Sequence, residues 1–258
     1  ESHFIFNAFP ELHPATRHYE SGALTEADAT PERCHLMRAC FLALAQDSAG
    51  RRYLDQPENE RPASIRLLEK TPRNALNVPF MRKLFPGMQA IFLHRDPRET
   101  IASIMEAWQI GPRGGFVTFP DLPGWDRQHW CLLLPPGWRA LNGKSLAEIA
   151  AFQWHAANRS ILDALRMQDH SGWLPVSFDA LREHSHDTLR RIAEFAGLPF
   201  EGKLRERADT PLPLSRTTMS TPAPGKWRRH EAEILAQAGL YGPLALEREL
   251  VIVDDGST

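Results

Sequence analysis

The sequence predicts an α/β fold in which an open, mainly parallel sheet is flanked by helices. Short apolar runs of strand length alternate along the chain with longer segments whose apolar residues have helical spacing. Strands that alternate with helices in this way are typical of parallel sheets. The 258 residues are enough for one large domain with its own core. We therefore expect a single domain over residues 1–258, although two are possible, with ligands bound beyond the carboxyl ends of the strands.

Four apolar runs are predicted strands and five segments are predicted helices. The strands are residues 3–6, 65–68, 89–93 and the run around Val176. The helices are residues 31–47, residues 74–84, the segment that starts at Asp96-Pro97, residues 146–167 and residues 187–196. A capping aspartate followed by proline marks the start of the third helix, and Gly197 marks the end of the last.

Composition and charge exclude several classes of function. Lys and Arg total 30 and Asp and Glu total 32, which gives a net charge of -2 and argues against a nucleic-acid partner. The three cysteines, Cys34, Cys40 and Cys131, have no Cys-x-x-Cys spacing, so they predict buried thiols in a reduced compartment, with no disulfide framework and no metal site. The sequence contains no run of 18 apolar residues, so it predicts no transmembrane helix.

The turn after the strand at 89–93 is a candidate anion site. Arg95 lies at the strand end, and Thr100 and Ser103 are three residues apart on the next helix. The first turn of a helix offers unpaired N–H groups and the positive end of the helix dipole, which suit a phosphate. The alternative is a capped strand-to-helix turn with a surface arginine.

Arg95 and Ser103, with seven residues between them, resemble the segment with which sulfotransferases hold the 3'-phosphate of 3'-phosphoadenosine 5'-phosphosulfate (PAPS). Trp154 and Asn158 resemble the family's helix with a tryptophan and an asparagine. Other stretches resemble further family segments in the same order: Glu69-Lys70-Thr71-Pro72 with Leu84-Phe85-Pro86, residues 175–181 with residues 195–200, and Gly225-Lys226-Trp227-Arg228. Together these motifs run from Glu69 to Arg228.

The resemblance implies a P-loop NTPase-like sulfotransferase fold and a set of cofactor-binding residues. Arg95 and Ser103 would bind the 3'-phosphate, and Lys226, Trp227 and Arg228 would contribute from a C-terminal loop. Phe178 would line the adenine pocket, or it is simply core of its strand. The hydroxyls and cation of residues 214–218 would add to the loop, although Ser220-Thr221-Pro222 replaces the family's Arg-Lys-Gly there.

The family's Gly/Ser/Thr-rich phosphosulfate loop does not occur in this sequence. Because the chain opens at Glu1 without an initiator methionine, we expect that loop and its strand to lie upstream. A natural loss of the loop would instead make the protein a non-catalytic relative.

Glu11 and His13 resemble the Glu-x-His of glycosaminoglycan 3-O-sulfating and polyketide-pathway sulfotransferases. In an extended segment both side chains would lie on one face, with Glu11 as general base and His13 orienting Glu11 or the acceptor. Alternatively, the two are a solvated carboxylate and an incidental histidine. Lys70, at the end of predicted strand 65–68, would neutralise the sulfuryl oxygens, or it only pairs with Glu69.

Residues 111–145 interrupt the alternation of strands and helices. The segment is rich in proline and glycine and contains Trp125, Trp130 and Trp138. Long aromatic loops in compact domains are usually functional, so we expect a wall or lid over the acceptor; a packed excursion or a dimer contact is the alternative. Gly143-Lys144-Ser145 is not a nucleotide loop, because Trp138 stands where a Walker A motif needs glycine.

The sequence therefore predicts a cytoplasmic enzyme that transfers a sulfuryl group from PAPS to the hydroxyl of a small-molecule or carrier-bound acceptor. Two other classes stay open. One is a P-loop kinase-like phosphotransferase, and the other is a nucleotide-binding module of the same fold without chemistry.

Overall fold

The computed structural model describes residues 3–47, 49–167, 172–211, 213, 220 and 223–254. The chain divides into two compact units, Glu1–Pro86 with Leu133–Trp138, and Gly87–Leu132 with Arg139–Thr258. A single domain over residues 1–258 stays a prediction, because two compact units can belong to one folding domain.

The first unit is helical in the part that the structure describes. Its α-helices are α1 (His3–Asn7), α2 (Pro31–Leu44) and α3 (Val78–Leu84). Five 3₁₀ helices accompany them at Pro10–Leu12, Pro14–Arg17, Glu26–Asp28, Glu58–Glu60 and Pro72–Leu76. Met37 of α2 and Phe80 and Leu84 of α3 are fully buried and belong to the apolar core of this unit.

The second unit contains a parallel pair of strands covered by helices. Its elements are β1 (Ala90–His94), α4 (Pro97–Ile110), β2 (Val117–Phe119), β3 (Trp130–Cys131), α5 (Leu146–Arg166), β4 (Trp173–Ser177), α6 (Phe178–Glu183), α7 (Ser185–Phe195), α8 (Gly202–Ala208), α9 (Glu231–Leu235) and α10 (Ala238–Asp254). β1 pairs with β4 in parallel, from Ala90 opposite Trp173 to His94 opposite Ser177. Buried side chains of α4, α5, β4 and α10 form the core, among them Ile101, Met105, Trp154, Leu162, Trp173 and Leu244.

The α/β class with a parallel sheet and flanking helices is confirmed, and the best-signalled helices form where they were predicted. Asp96 caps α4 by accepting from the Arg98 N–H at 2.7 Å, and Pro97 is its first residue. Ser145 caps α5 in a capping box with Glu148. Ser145 is thus a helix cap and not part of a nucleotide loop.

Two predicted strands are wrong. Residues 3–6 belong to α1, because a run of four apolar residues does not by itself distinguish a strand from a buried helical turn. Residues 65–68 have no regular structure, and Leu68 is 89% exposed. Predicted helix 74–84 is divided at Asn77 into a 3₁₀ helix and α3, since Pro79 lacks the N–H needed to continue a helix from the preceding turn.

The interrupting segment 111–145 contributes to both units. β2 and β3 form an antiparallel pair in the second unit, where Trp130 lies 5.2 Å from Trp108 and 4.8 Å from Trp125 between ring centroids. In the first unit, Trp138 is fully buried and donates from Nε1 to the Tyr19 carbonyl at 2.7 Å. The tryptophans of this segment therefore pack extensively.

Cys34 and Cys131 are buried and Cys40 is half-buried, and all three are free thiols. Burial raises the pKa of the Cys131 thiol to about 11, which disfavours the reactive thiolate. None of the described helices combines the length and hydropathy that crossing a bilayer requires.

Candidate anion-binding site

A cavity of about 220 Å³ lies at the carboxyl end of β1 in the second unit. β1, α4, α5, α6 and α10 all contribute side chains to its wall. The lining residues are Leu93, His94, Arg95, Thr100, Ser103, Trp154, Asn158, Phe178 and Arg248. The structure thus brings together Arg95, Ser103 and Phe178, and it adds the predicted pair Trp154 and Asn158.

Arg95 lies beside an aromatic ring and a carboxylate and keeps one donor unused among the described residues. Its guanidinium carbon lies 5.0 Å from the centre of the Phe178 ring, and Nη2 is 3.6 Å from Glu99 Oε2. Its Nε is buried and has no hydrogen-bond partner within the described part of the chain. Buried donors are almost always paired in proteins, so this N–H is suited to an anionic ligand.

Phe178 lines the cavity and is not part of the strand core. It is the first residue of α6, after β4 has ended at Ser177, and it is half-buried. Its ring supports the Arg95 guanidinium through a cation–π contact. The alternative that Phe178 belongs to the strand core is therefore wrong.

The two hydroxyl side chains of α4 donate within their own helix. Ser103 Oγ donates to the Glu99 carbonyl and Thr100 Oγ1 to the Asp96 carbonyl, both at 3.0 Å. Since a hydroxyl has one hydrogen to donate, Ser103 must rotate that hydrogen away from Glu99 to serve a phosphate.

The C-terminal loop is anchored to α4 by carboxylates. The Gly225 N–H donates to Glu99 Oε1 at 2.7 Å, and Lys226 Nζ lies 2.7 Å from Glu106 Oε2 and also contacts Ser220 Oγ. Burial opposes ionisation of Glu106, but hydrogen bonds from Lys226 and Ser220 outweigh it and lower its pKa.

Trp227 lies between two arginines. Its buried ring has the Arg98 guanidinium 4.7 Å and the Arg228 guanidinium 5.1 Å from its ring centre. Lys226, Trp227 and Arg228 do not line the cavity that holds Arg95. Residues 214–219, 221 and 222, on which part of the loop prediction rests, lie outside the described residues.

His94 lines the cavity, and the sequence analysis did not identify it. Burial, followed by the charge of Arg248, lowers its pKa, although Glu249 and Asp179 act in the opposite direction. A lowered pKa favours the neutral ring at pH 7, in which one nitrogen donates a hydrogen bond and the other accepts one.

Glu11 and His13 belong to the first unit and do not lie on an extended segment. Pro10–Leu12 is a 3₁₀ helix, because proline favours the first position of a helical turn. Glu11 Oε1 lies 3.1 Å from Arg33 Nε, and a backbone hydrogen bond together with the Arg33 guanidinium lowers its pKa. His13 caps the next 3₁₀ helix, where its Nδ1 accepts from the Ala15 N–H at 3.2 Å.

Lys70 also belongs to the first unit. It is exposed and follows an irregular segment, so the expected position at a strand end is wrong. Its neighbour Glu69 accepts from Asn74 Nδ2 at 3.2 Å.

A wider second cavity of about 540 Å³ shares His94, Arg95 and Arg248 with the first. Its remaining wall is formed by Asp96, Pro97, Ser177, Asp179, Gly242, Ala245, Leu246 and Glu249. Arg248 had no signal in the sequence, since it lies in an ordinary helical segment far along the chain from Arg95. Only the packing of α10 shows that it belongs to this site.

A comparison with models of protein families agrees with the motifs. The model of the sulfotransferase family matches residues 1–202. A solved structure, a sulfotransferase domain from the curacin biosynthetic pathway, matches with 16% identity and a TM-score of 0.39, over 55% of this chain and 42% of that one. The chain thus spans less than half of the length of that domain. No curated protein matches the sequence. Because the family match covers well over half of the chain, the protein belongs to the sulfotransferase family.

Proposed function

We propose that this protein transfers a sulfuryl group from PAPS to a hydroxyl of a small-molecule or carrier-bound acceptor. The observation that carries the proposal is the meeting of Arg95 and Ser103 in one cavity at the carboxyl end of β1, with Arg95 Nε buried and unpartnered in the described part. An unpaired guanidinium N–H beside a helix start suits a phosphate.

In this proposal the cavity residues hold the nucleotide. Arg95 and Ser103 bind the 3'-phosphate, and Phe178 forms the aromatic wall. Lys226, Trp227 and Arg228 contact the nucleotide outside the smaller cavity, held by their attachment to α4. Bound PAPS supplies the sulfuryl group that is transferred.

Glu11, His13 and Lys70 are the proposed catalytic residues. Glu11 takes the proton of the acceptor hydroxyl, His13 orients Glu11 or the acceptor, and Lys70 neutralises charge on the sulfuryl oxygens. Family membership and the free cysteines support a soluble enzyme of the reduced cytoplasm.

Calorimetric titration with 3'-phosphoadenosine 5'-phosphate (PAP) tests the proposal. Arg95→Ala should weaken PAP binding by about tenfold or more, because a hydrogen bond to a charged group contributes about 1.5–3 kcal/mol. Ser103→Ala should weaken it less, and adenosine 5'-monophosphate, which lacks the 3'-phosphate, should bind each variant almost as it binds the native protein.

Arg113→Ala is the matched control, since Arg113 is exposed and lines neither cavity. It should leave both titrations unchanged. Equal loss of both ligands in Arg95→Ala would show that Arg95 supports the fold and does not bind the 3'-phosphate.

A further inference from the structure

Arg248 of α10 is a buried charge with unusual surroundings. It is only 4% exposed, and burying a charge is costly unless hydrogen bonds compensate. Its Nη1 donates to the Arg95 carbonyl at 2.9 Å, while Nε and Nη2 donate to Glu249 Oε1 at 3.2 and 2.7 Å. The guanidinium carbon lies 5.8 Å from the centre of the Trp154 ring.

These contacts leave part of the guanidinium without a partner. An arginine has five N–H donors, of which three are accounted for by Arg95 and Glu249. One N–H on Nη1 and one on Nη2 have no partner within the described residues. Arg95 Nε is buried and makes no hydrogen bond within the described residues, and both arginines line both cavities.

Two guanidinium groups that share a cavity repel each other unless an anion lies between them. The carboxylates nearby only partly provide this charge. Glu99 Oε2 is 3.6 Å from Arg95, and the side chain of Glu249, which holds Arg248, is 53% exposed. A dianionic phosphate would satisfy the remaining donors of both arginines, whose planar forks match phosphate oxygens.

We infer that Arg248 is the second arginine of this site and binds the same phosphate group as Arg95. Arg248 lies beyond residues 1–202, which the family model matches, so the assignment comes from the packing of α10. The identification of the ligand as the 3'-phosphate of PAP rests on the proposed function. The inference that some phosphate group binds between the two arginines is independent of that function.

The test compares Arg248→Gln with native protein in titrations with PAP and with adenosine 5'-monophosphate. We expect PAP affinity to fall ten- to hundredfold and affinity for the monophosphate to stay within about twofold. In a double-mutant cycle with Arg95→Ala, the two losses should not multiply, because both residues contact one group. The inference is overturned if Arg248→Gln keeps the native ratio of PAP affinity to monophosphate affinity. It is also overturned if the double variant loses PAP affinity by the product of the two single losses.

Arg166→Gln is the matched control, because Arg166 contacts α10 through Glu247 and lines neither cavity. It should keep the native preference for PAP. If Arg248→Gln does not fold, Glu249→Gln serves instead. That change leaves Arg248 in place and removes the negative charge beside it, while the amide oxygen can still accept from Nε and Nη2. PAP should then bind about two- to tenfold more tightly; unchanged or weaker binding contradicts the inference.

Inorganic phosphate separates failure of this inference from failure of the proposed function. If native protein does not bind PAP, the proposed function fails. Phosphate should then still raise the melting temperature of native protein and not that of Arg248→Gln. Equal shifts in both proteins, or no shift in native protein, overturn the role of Arg248.

Discussion

At the scale of single residues, the partner of Glu11 decides how it can act. The Arg33 guanidinium pairs with the Glu11 carboxylate at 3.1 Å. A backbone hydrogen bond, followed by the bond from Arg33, lowers the pKa of Glu11. A lowered pKa keeps a carboxylate ionised over a wide pH range but makes it a weaker base. Arg33 thus contributes, after the backbone hydrogen bond, to both the charge state and the strength of the proposed base.

Glu11→Gln should lower kcat by roughly 10²–10⁴ with little effect on PAPS binding, because the amide keeps the shape without the basicity. Glu26→Gln is the control, because Glu26 is an exposed acidic residue of the same unit. It should keep the native kcat. His13→Ala should lower kcat less than Glu11→Gln does. Near-normal turnover in Glu11→Gln together with loss of activity in His13→Ala would show that the histidine is the base.

The same pair predicts a pH effect. Activity that needs ionised Glu11 falls as the pH drops through its pKa. Arg33→Gln removes a group that lowers this pKa, so the acidic limb of the kcat profile should move to higher pH. If the acidic limb of Arg33→Gln does not move, Glu11 is not the group that takes the proton.

Sequence reasoning worked for residues whose environment is local and failed for those that depend on distant packing. Arg95 and Ser103 were predictable because a strand end, an aspartate cap and a proline fix that turn within ten residues. The geometry of Glu11 and His13 was not, because Pro10 starts a 3₁₀ turn where an extended segment was expected. Arg248 depends on how α10 packs, which no local pattern shows.

At the scale of elements, the Glu247 carboxylate of α10 pairs with two arginines of α5. Glu247 accepts from Arg159 Nη1 at 2.8 Å and Nη2 at 2.5 Å, and Arg166 Nη2 lies 2.5 Å from its Oε1. Hydrogen bonds from Arg159 lower the pKa of Glu247 to about 2. Glu247 is therefore ionised at pH 7 and pairs with both arginines of α5.

Glu247→Gln should reduce the free energy of unfolding by about 1 kcal/mol at pH 7, since a bidentate pair with a second arginine exceeds a simple surface ion pair. A carboxylate with a lowered folded pKa stabilises the protein above its ordinary pKa of 4.5 and loses this effect as the pH falls towards 2. Urea unfolding at pH 7 and pH 3 should therefore show a larger difference between variant and native protein at pH 7.

Glu194→Gln is the control, because Glu194 is an exposed acidic residue of α7 in the same unit. It should change stability little at either pH. An equal effect of Glu247→Gln at pH 3 and pH 7 would mean that the carboxylate charge does not stabilise the contact between α10 and α5.

Long helices with capping residues were easier to predict from the sequence than short apolar runs. α4 and α5 have caps and several turns of apolar spacing, and both form where the sequence predicts them. The runs at 3–6 and 65–68 are only four residues long, and their structure depends on whether a partner strand lies beside them. Such short runs are ambiguous without tertiary contacts.

At the scale of the whole molecule, residues 111–145 take part in the core of each unit. In the second unit, Trp108 Nε1 donates to Gln153 Oε1, and Gln153 Nε2 donates to the Cys131 carbonyl, both at 2.9 Å. This buried pair of bonds lies beside fully buried Trp130. The segment is therefore partly structural, and only its less buried residues are available to contact an acceptor.

Trp130 and Trp125 should then respond differently to substitution. Trp130→Ala should reduce the free energy of unfolding by about 3–5 kcal/mol, because it leaves a cavity in a packed aromatic cluster. Trp125 is only half-buried and donates from Nε1 to the His129 carbonyl at 3.0 Å, so Trp125→Ala should destabilise the protein less. Urea unfolding of both variants measures the difference.

The acceptor wall that the sequence predicts for this segment can be tested at Trp125. In a wall that contacts the acceptor, apolar area sets specificity, so Trp125→Ala should change the ratio of kcat/KM between two hydroxyl acceptors by at least about threefold while PAP affinity stays constant. Measurements below the melting temperature of the variant separate this effect from lost stability. Loss of PAP binding with an unchanged acceptor ratio would place the segment beside the nucleotide. An unchanged ratio and unchanged PAP binding would mean that Trp125 serves packing alone.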